Sequence, residues 1–344
     1  MKAAFIIGHG GNEVVKVRAC EPVKRRPGEV LVRVEAATLN QVDLYMRNSG
    51  AGITHQLPQI MGLDAAGVIE GVDASETLLT VDQRVVIHPG ITCGRCEFCQ
   101  RGEGVLCTKM QLLGEHRHGT FAQWISVPAQ NVFPMPQGLT FAQAAAMGVN
   151  YLTAWRMLFT KARVKPWETV LVFGIGGGVS LAAMQLAKAI GAKVIVTSRE
   201  DSKLERALAM GAAHGINSTT QDVAKAVMAY TGGRGVDVVI ENVGEAVWSM
   251  AMKSLVRGGR LVTCGATTGD QPPADLRRIF IRQLQILGST HGDFSEFRAL
   301  LSFIEQSGIV PVLDSEYPLD RIHEALTRLE SGQQFGKIAL QLMS

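Results

Sequence analysis

Long apolar runs are missing from this sequence. No stretch approaches the roughly 18 consecutive apolar residues a membrane-crossing helix needs, so no membrane span is expected. Charge of one sign is missing too. The 344 residues carry 34 Lys and Arg against 31 Asp and Glu, a formal net charge of +3, with the two signs interleaved along the chain. That distribution offers no concentrated basic face for nucleic acid or a membrane surface. Cysteine is scarce, at six, and four of the six crowd into one short run. Only Cys20 and Cys264 are left over, with no sign of pairing, which fits a reducing compartment better than an oxidising one. The opening MKAAFIIGHGG lacks the charged-then-apolar layout of an export signal, so a cytoplasmic location is expected. Internal repeats and low-complexity segments are absent as well.

What is present is enough apolar content, 47%, to fill two cores, in a chain longer than a single core usually supports. Residues 1 to about 145 read as short β runs broken by Gly and Pro: KAAFII, EVVKVRAC, EVLVRVEAATLN, AAGVIEGV, RVVIHPG and FAQWISVP. An all-β, barrel-like unit is expected there. From about residue 150 short apolar strands (ETVLVFG, AKVIVTS, VDVVIENVG, GRLVTCGA) alternate with helical patterns, over 181–190, 202–210 and 248–255, implying a parallel sheet covered on both faces. Two more helices, in EFRALLSFIEQSG and RIHEALTRLESG, precede a final run GKIALQL that reads as a strand returning to the first unit. The expected division is 1–148 with 290–344 in one domain and 149–289 in the other.

The crowded cysteines, Cys93, Cys96, Cys99 and Cys107, have C-x2-C-x2-C-x7-C spacing. Four thiolates so spaced close a tetrahedral zinc site with no open position, so the metal is expected to be structural, one per chain, stiffening a lobe at about 90–110. Disulfides or a redox pair are the competing reading of the same residues.

The turn after the first strand of the second domain is Gly174-Ile175-Gly176-Gly177-Gly178-Val179-Ser180, opening a helix. Glycines there permit a sharp turn and let backbone N–H groups approach a pyrophosphate at the positive helix end, so a dinucleotide is expected. A tight turn without a ligand is the plainer reading. At the tip of the next strand Ser198 stands where an acidic residue would repel a 2′-phosphate, with Arg199 beside it and Lys203 one turn into the helix. NADP(H) is therefore expected over NAD(H), although Glu200 and Asp201 also lie there.

The zinc lobe, NQVDLYMRNSG, GLDAAGV, NYLTAW, GIGGGVSLAAMQLAK, TGGRGVDVVIENVG, GGRLVTCGA, LGST and FGKIAL together resemble the medium-chain dehydrogenase/reductase superfamily over essentially the whole chain. The resemblance implies an α/β fold, a Rossmann doubly wound parallel sheet domain plus a GroES-like β-barrel catalytic domain. The NQVDLYMR run, NYLTAW and the long glycine loop look most like the quinone oxidoreductase-like branch, whereas the zinc lobe is shared with the zinc alcohol dehydrogenases.

In the alcohol dehydrogenases a catalytic zinc is held by Cys, His and Cys with a Glu beside the His. Carried onto this chain, the first Cys falls on Asn40, the His-Glu pair on Leu63 and Asp64, and the last Cys on Val149. Leu and Val cannot ligate a metal and a carboxamide does so poorly. A catalytic zinc is therefore not expected, short of His116 or His118 joining Asp64 in a rearranged site.

The resemblance also implies site residues. Tyr45 falls where alcohol dehydrogenases place a proton-relay group, flanked by Asn40 and by Asp43, the latter an orienting carboxylate or a partner for Arg47. His116, in LGEHRHGTFAQW, falls where relatives line the substrate pocket; it could donate a proton, while the segment also reads as a solvated loop. Thr153 resembles a threonine near the nicotinamide, and Asn242, Val243, Gly265 and Ala266 fall where cofactor ribose and carboxamide contacts occur.

The expected activity is NADPH-dependent hydride transfer to a small quinone or α,β-unsaturated carbonyl. The alternatives are an alcohol dehydrogenase with a rearranged metal site and a non-enzymatic NADPH-binding protein. A homodimer is implied by the family.

Overall fold

The computed structural model describes residues 1–343 other than 54, 74, 75 and 77. It divides into two compact units, Met1–Leu152 with Gly292–Ser344, and Thr153–His291.

The first unit is organised by the strand Glu29–Thr38, whose Val30, Val32 and Val34 alternate into the core as a half-buried strand requires. Antiparallel partners flank it on both sides: Asp64–Gly71, Trp124–Pro128 and the terminal strand Lys337–Gln341. The sheet continues through Arg84–Ile87 to Val132–Pro134 at one end and through Leu313–Pro318, parallel to the terminal strand, at the other. Val30, Val32, Ile69, Val85, Ile87, Phe121, Ile338 and Leu340 fill the interior. The helix Ile322–Ser331 closes it with Ile322, Ala325, Leu326 and Leu329, the spacing of a single helical face. The unit is not purely β, because NQVDLYMRNSG, read only as a motif, forms a helix over Gln41–Ser49 that ends at Gly50 with φ +72°.

Register brings distant residues together. Thr38 stands opposite Asp64 on one side and Ala339 on the other, while Leu39 N–H donates to Ile338 O at 3.0 Å. Lys337 is thereby brought beside Leu39 and Asn40, almost three hundred positions away in the sequence.

The second unit is a six-stranded, all-parallel sheet. Its spatial order is His214–Asn217, Lys193–Ser198, Thr169–Val172, Val236–Glu241, Leu255–Thr263, Gln285–Gly288, that is third, second, first, fourth, fifth, sixth in the chain. This is the doubly wound order of dinucleotide-binding sheets. Val170–Val172, Val194–Val196 and Val238–Ile240 are buried throughout, as strands covered on both faces must be. Helices span Gly178–Ala189, Asp201–Ala209 and Glu245–Ser254, within three residues of the periodicity read from sequence; helices Val223–Tyr230 and Leu276–Arg282 were not read there. No helix among the described residues is long and apolar enough to cross a membrane.

Candidate functional sites

In the lobe between the strands Gly90–Ile91 and Gln111–Leu112, the sulfurs of Cys93, Cys96, Cys99 and Cys107 all lie within 4.8 Å of one another. Zn–S bonds of about 2.3 Å in a tetrahedron put sulfurs about 3.8 Å apart, so the donor set fits zinc. Backbone N–H groups of Cys93 and Lys109 reach Cys107 Sγ at 3.3 and 3.4 Å, the kind of donor that steadies a thiolate ligand. No disulfide joins the six cysteines.

The glycine turn follows the strand Thr169–Val172 and leads into the helix Gly178–Ala189. Gly174 (φ +67°) and Gly176 (φ +108°) hold backbone conformations that side chains disfavour, and the turn is pinned by Ile175 N–H to Thr197 O at 2.8 Å. Gly177 caps the helix, leaving the first-turn N–H groups, Gly178 and Val179 among them, without intrahelical acceptors. Ser180 Oγ donates to Phe173 O at 2.7 Å and receives Asn242 Nδ2 at 3.1 Å, which joins Asn242 to the turn. Val243 follows it; Gly265 and Ala266 lie beyond the end of the neighbouring strand Leu255–Thr263. Thr153 is buried in the helical segment Leu152–Trp155.

Ser198 ends the strand Lys193–Ser198 and its hydroxyl accepts the Glu200 N–H at 3.0 Å. Arg199 is exposed. Lys203 is drawn to Glu200, Nζ to Oε1 2.8 Å, so its charge is already partnered.

In the first unit two of the residues at the alcohol dehydrogenase zinc positions, Asn40 and Asp64, belong to a buried hydrogen-bonded network with Thr38, Asn150 and Lys337. Oδ2 of Asp64 receives Thr38 Oγ1 at 2.7 Å, Asn40 Nδ2 at 2.8 Å and the Lys337 ammonium at 3.3 Å. Asn40 Oδ1 in turn receives Lys337 Nζ at 2.6 Å and Asn150 Nδ2 at 2.9 Å, and Lys337 makes a third bond to Leu39 O at 2.7 Å. Burial holds Lys337 below the usual lysine range, against the pull of Asp64. Leu63 is buried with the core. Among the described residues Oδ1 of Asp64 has no hydrogen-bond partner, and it faces Gly148, where a Cβ would come within 2.6 Å of it. Neither His116 nor His118 bonds to Asp64: their Nδ1 atoms accept from Leu112 N–H and Ile60 N–H, both at 3.2 Å.

Asp43 uses an oxygen to accept the Asn40 N–H at 2.7 Å, capping its own helix. Of the two roles expected for Asp43, a buried orienting carboxylate or a partner for Arg47, the pairing is not formed: Asp43 is buried on the Asn40 N–H, and Arg47 reaches Glu330 at 2.9 Å. Burial pushes the Asp43 carboxyl up to about 7. Two residues further on, Tyr45 is half-buried; burial raises its phenol, which bonds the Gln41 side chain and keeps its proton as a donor at neutral pH.

His116 is exposed, whereas its neighbour Glu115, read as part of a solvated loop, is 7% exposed. Sequence reasoning missed Glu115, Lys337, Thr38 and Asn150 as polar residues of the interior. For Lys337 a signal existed: a lysine leading an otherwise apolar strand, KIAL.

A parallel sheet of this order with a glycine turn after its first strand, on one chain with a barrel that bears a four-thiol lobe, defines a zinc-binding dehydrogenase. Two family descriptions match, "Alcohol dehydrogenase GroES-like domain" over residues 26–137 and "Zinc-binding dehydrogenase" over 178–306. An alcohol dehydrogenase of Geobacillus stearothermophilus is 31% identical over 99% of this chain and 100% of its own length. The quinone oxidoreductase of Homo sapiens is 30% identical over 99% of this chain and 98% of its own. A crystal structure of an NAD-dependent alcohol dehydrogenase superposes with a TM-score of 0.96 at 40% identity, covering 99% of this chain and all of the other. The chain belongs to the medium-chain dehydrogenase/reductase superfamily and is an oxidoreductase.

Proposed function

We propose that this oxidoreductase reduces quinones or α,β-unsaturated carbonyls with NADPH and without a catalytic zinc. The observation that carries the reading is the network at Asn40, Asp64 and Lys337. Where alcohol dehydrogenases gather metal ligands, the one carboxylate is already met by a buried ammonium and by Thr38 and Asn40. A dication there would have to face that ammonium at close range.

The reduced nicotinamide, when bound, supplies the hydride. The backbone of Gly174, Gly176, Gly177, Gly178 and Val179 would hold the pyrophosphate, with Asn242, Val243, Gly265, Ala266 and Thr153 toward the ribose and carboxamide. Ser198 and Arg199 support a 2′-phosphate and so NADP(H), although the solved relative is described as NAD-dependent. Hydride acceptors in this class spread charge onto a conjugated oxygen, so hydrogen-bond donors can stand in for a Lewis acid, each contributing about 10²–10³ in rate. Tyr45 is the phenolic donor, held by the helix that Asp43 caps.

Zinc content and acceptor range test the reading together. One zinc per chain and NADPH oxidation with quinones and enones above the no-acceptor rate are expected. Two zincs per chain with oxidation of simple alcohols would replace it with the alcohol dehydrogenase reading, and tight NADPH binding with no turnover would replace it with the non-enzymatic one.

A further inference from the structure

The barrel unit contains a cavity of about 1000 Å³ lined by His116 but by neither Tyr45 nor any residue placed toward the cofactor. Its size is at the upper end of small-molecule sites. Ile53, Leu57 and Ile125 give it apolar wall, and its polar lining is uneven in charge. The lining carboxylate of Glu29 is spent on Arg117 at 2.8 Å and Ser126 Oγ at 2.6 Å, and Arg25 is spent on Asp73. Lys24 and Arg26 also line the cavity, and among the described residues neither side chain has an anionic partner.

The second observation is Glu115, which lines the same cavity. It is 93% buried, and among the described residues its carboxyl has neither a hydrogen-bond donor nor a counter-ion. Desolvation pushes it up to about 7, so up to neutrality a large fraction of the chains carry a proton there that can be donated. His118 lines the same cavity and accepts the Ile60 N–H through Nδ1 at 3.2 Å, so in the neutral ring Nε2–H is its free donor.

We propose that this cavity binds an organic acid that also bears a carbonyl, with Lys24 and Arg26 meeting the anionic group and Glu115 and His118 donating to the carbonyl oxygen. The proposal goes beyond the reductase reading and does not rest on it: neither Tyr45 nor any residue placed toward the cofactor lines this cavity, so its ligand is distinct from the hydride acceptor.

The test uses 4-oxo-4-phenylbutanoate, which cannot accept a conjugate hydride, and its methyl ester, titrated calorimetrically into the full chain with and without NADP⁺. The acid is expected to bind at least tenfold more tightly than the ester, and the Lys24→Ala/Arg26→Ala chain to lose that preference. Equal binding of acid and ester by the unaltered chain, or an undiminished preference in the double variant, would overturn the proposal.

A pH series separates Glu115 from the other titratable groups around it, Asp43, His116 and His118. Affinity for the acid should fall as pH rises through about 7 in the unaltered chain and stay level in Glu115→Gln, which keeps a donor but cannot ionise. An identical pH slope in both would remove Glu115 from the site.

Discussion

Nζ of Lys337 lies 3.3 Å from Oδ2 of Asp64, with both side chains almost wholly out of water. Two opposite charges in that position are costly to desolvate and are kept only because amide, hydroxyl and carbonyl groups complete their hydrogen bonding. The pair also fixes the electrostatics of the site, since the cation at the centre of the barrel's polar network is a lysine supplied by the terminal strand.

Removing that cation alone should be severe. Lys337→Met strands the Asp64 carboxylate and should destabilise the protein by about 3–5 kcal/mol, measured by urea unfolding. Lys337→Met with Asp64→Leu should recover much of the loss, because the second change removes the stranded charge. A single variant as stable as the parent would mean the ion pair contributes nothing.

The cysteine lobe should report zinc independently of catalysis. Chelation, or Cys99→Ser, should remove the metal and raise amide hydrogen exchange across residues 90–113, while the six-stranded unit keeps its protection. Uniform loss of protection over the whole chain would show that the lobe is not a local device. Its thiols bury too little apolar surface to order the loop unaided.

Cofactor choice should turn on Arg199. Arg199→Ala should weaken NADPH binding about tenfold by fluorescence titration, the loss of roughly one charge-assisted phosphate contact, and leave NADH binding as it was. Lys203→Ala should matter less, because Lys203 is already paired with Glu200 at 2.8 Å. Equal loss for both nucleotides would mean that no 2′-phosphate is recognised there.

Stability should decline between about pH 4 and pH 7 on account of two buried carboxyls. Asp43 and Glu115 each sit near 7 in the folded chain against ordinary values of 3.8 and 4.5, so in that window the folded state binds more protons than the unfolded one. Stability is then greatest below the lower values and is lost as pH rises through the folded ones. Glu115→Gln should lessen the drop in urea midpoint between pH 5 and pH 8, by an amount equivalent to about 1–3 kcal/mol. An unaltered drop would assign the whole decline to other groups.

The α/β class, a parallel sheet covered on both faces, the glycine turn and the four-thiol lobe were all legible in the sequence, while the doubly wound strand order came only with the family resemblance. Each is encoded by residues close together in the chain: apolar runs of strand length, Gly174 to Ser180 at one strand end, and cysteines with two, two and seven residues between them. The substitutions Asn40, Leu63 and Val149, which argue against a catalytic metal, were also visible position by position. Tertiary structure alone decided what fills that place. Lys337 meets Asp64 because the terminal strand pairs with Glu29–Thr38 in one register, and Glu115 is buried because its loop folds against the barrel while His116 beside it faces solvent. Local pattern specifies turns, strands and short-range ligand spacing; burial and long-range pairing of charges depend on strand register and packing between segments distant in the chain, which no local window contains.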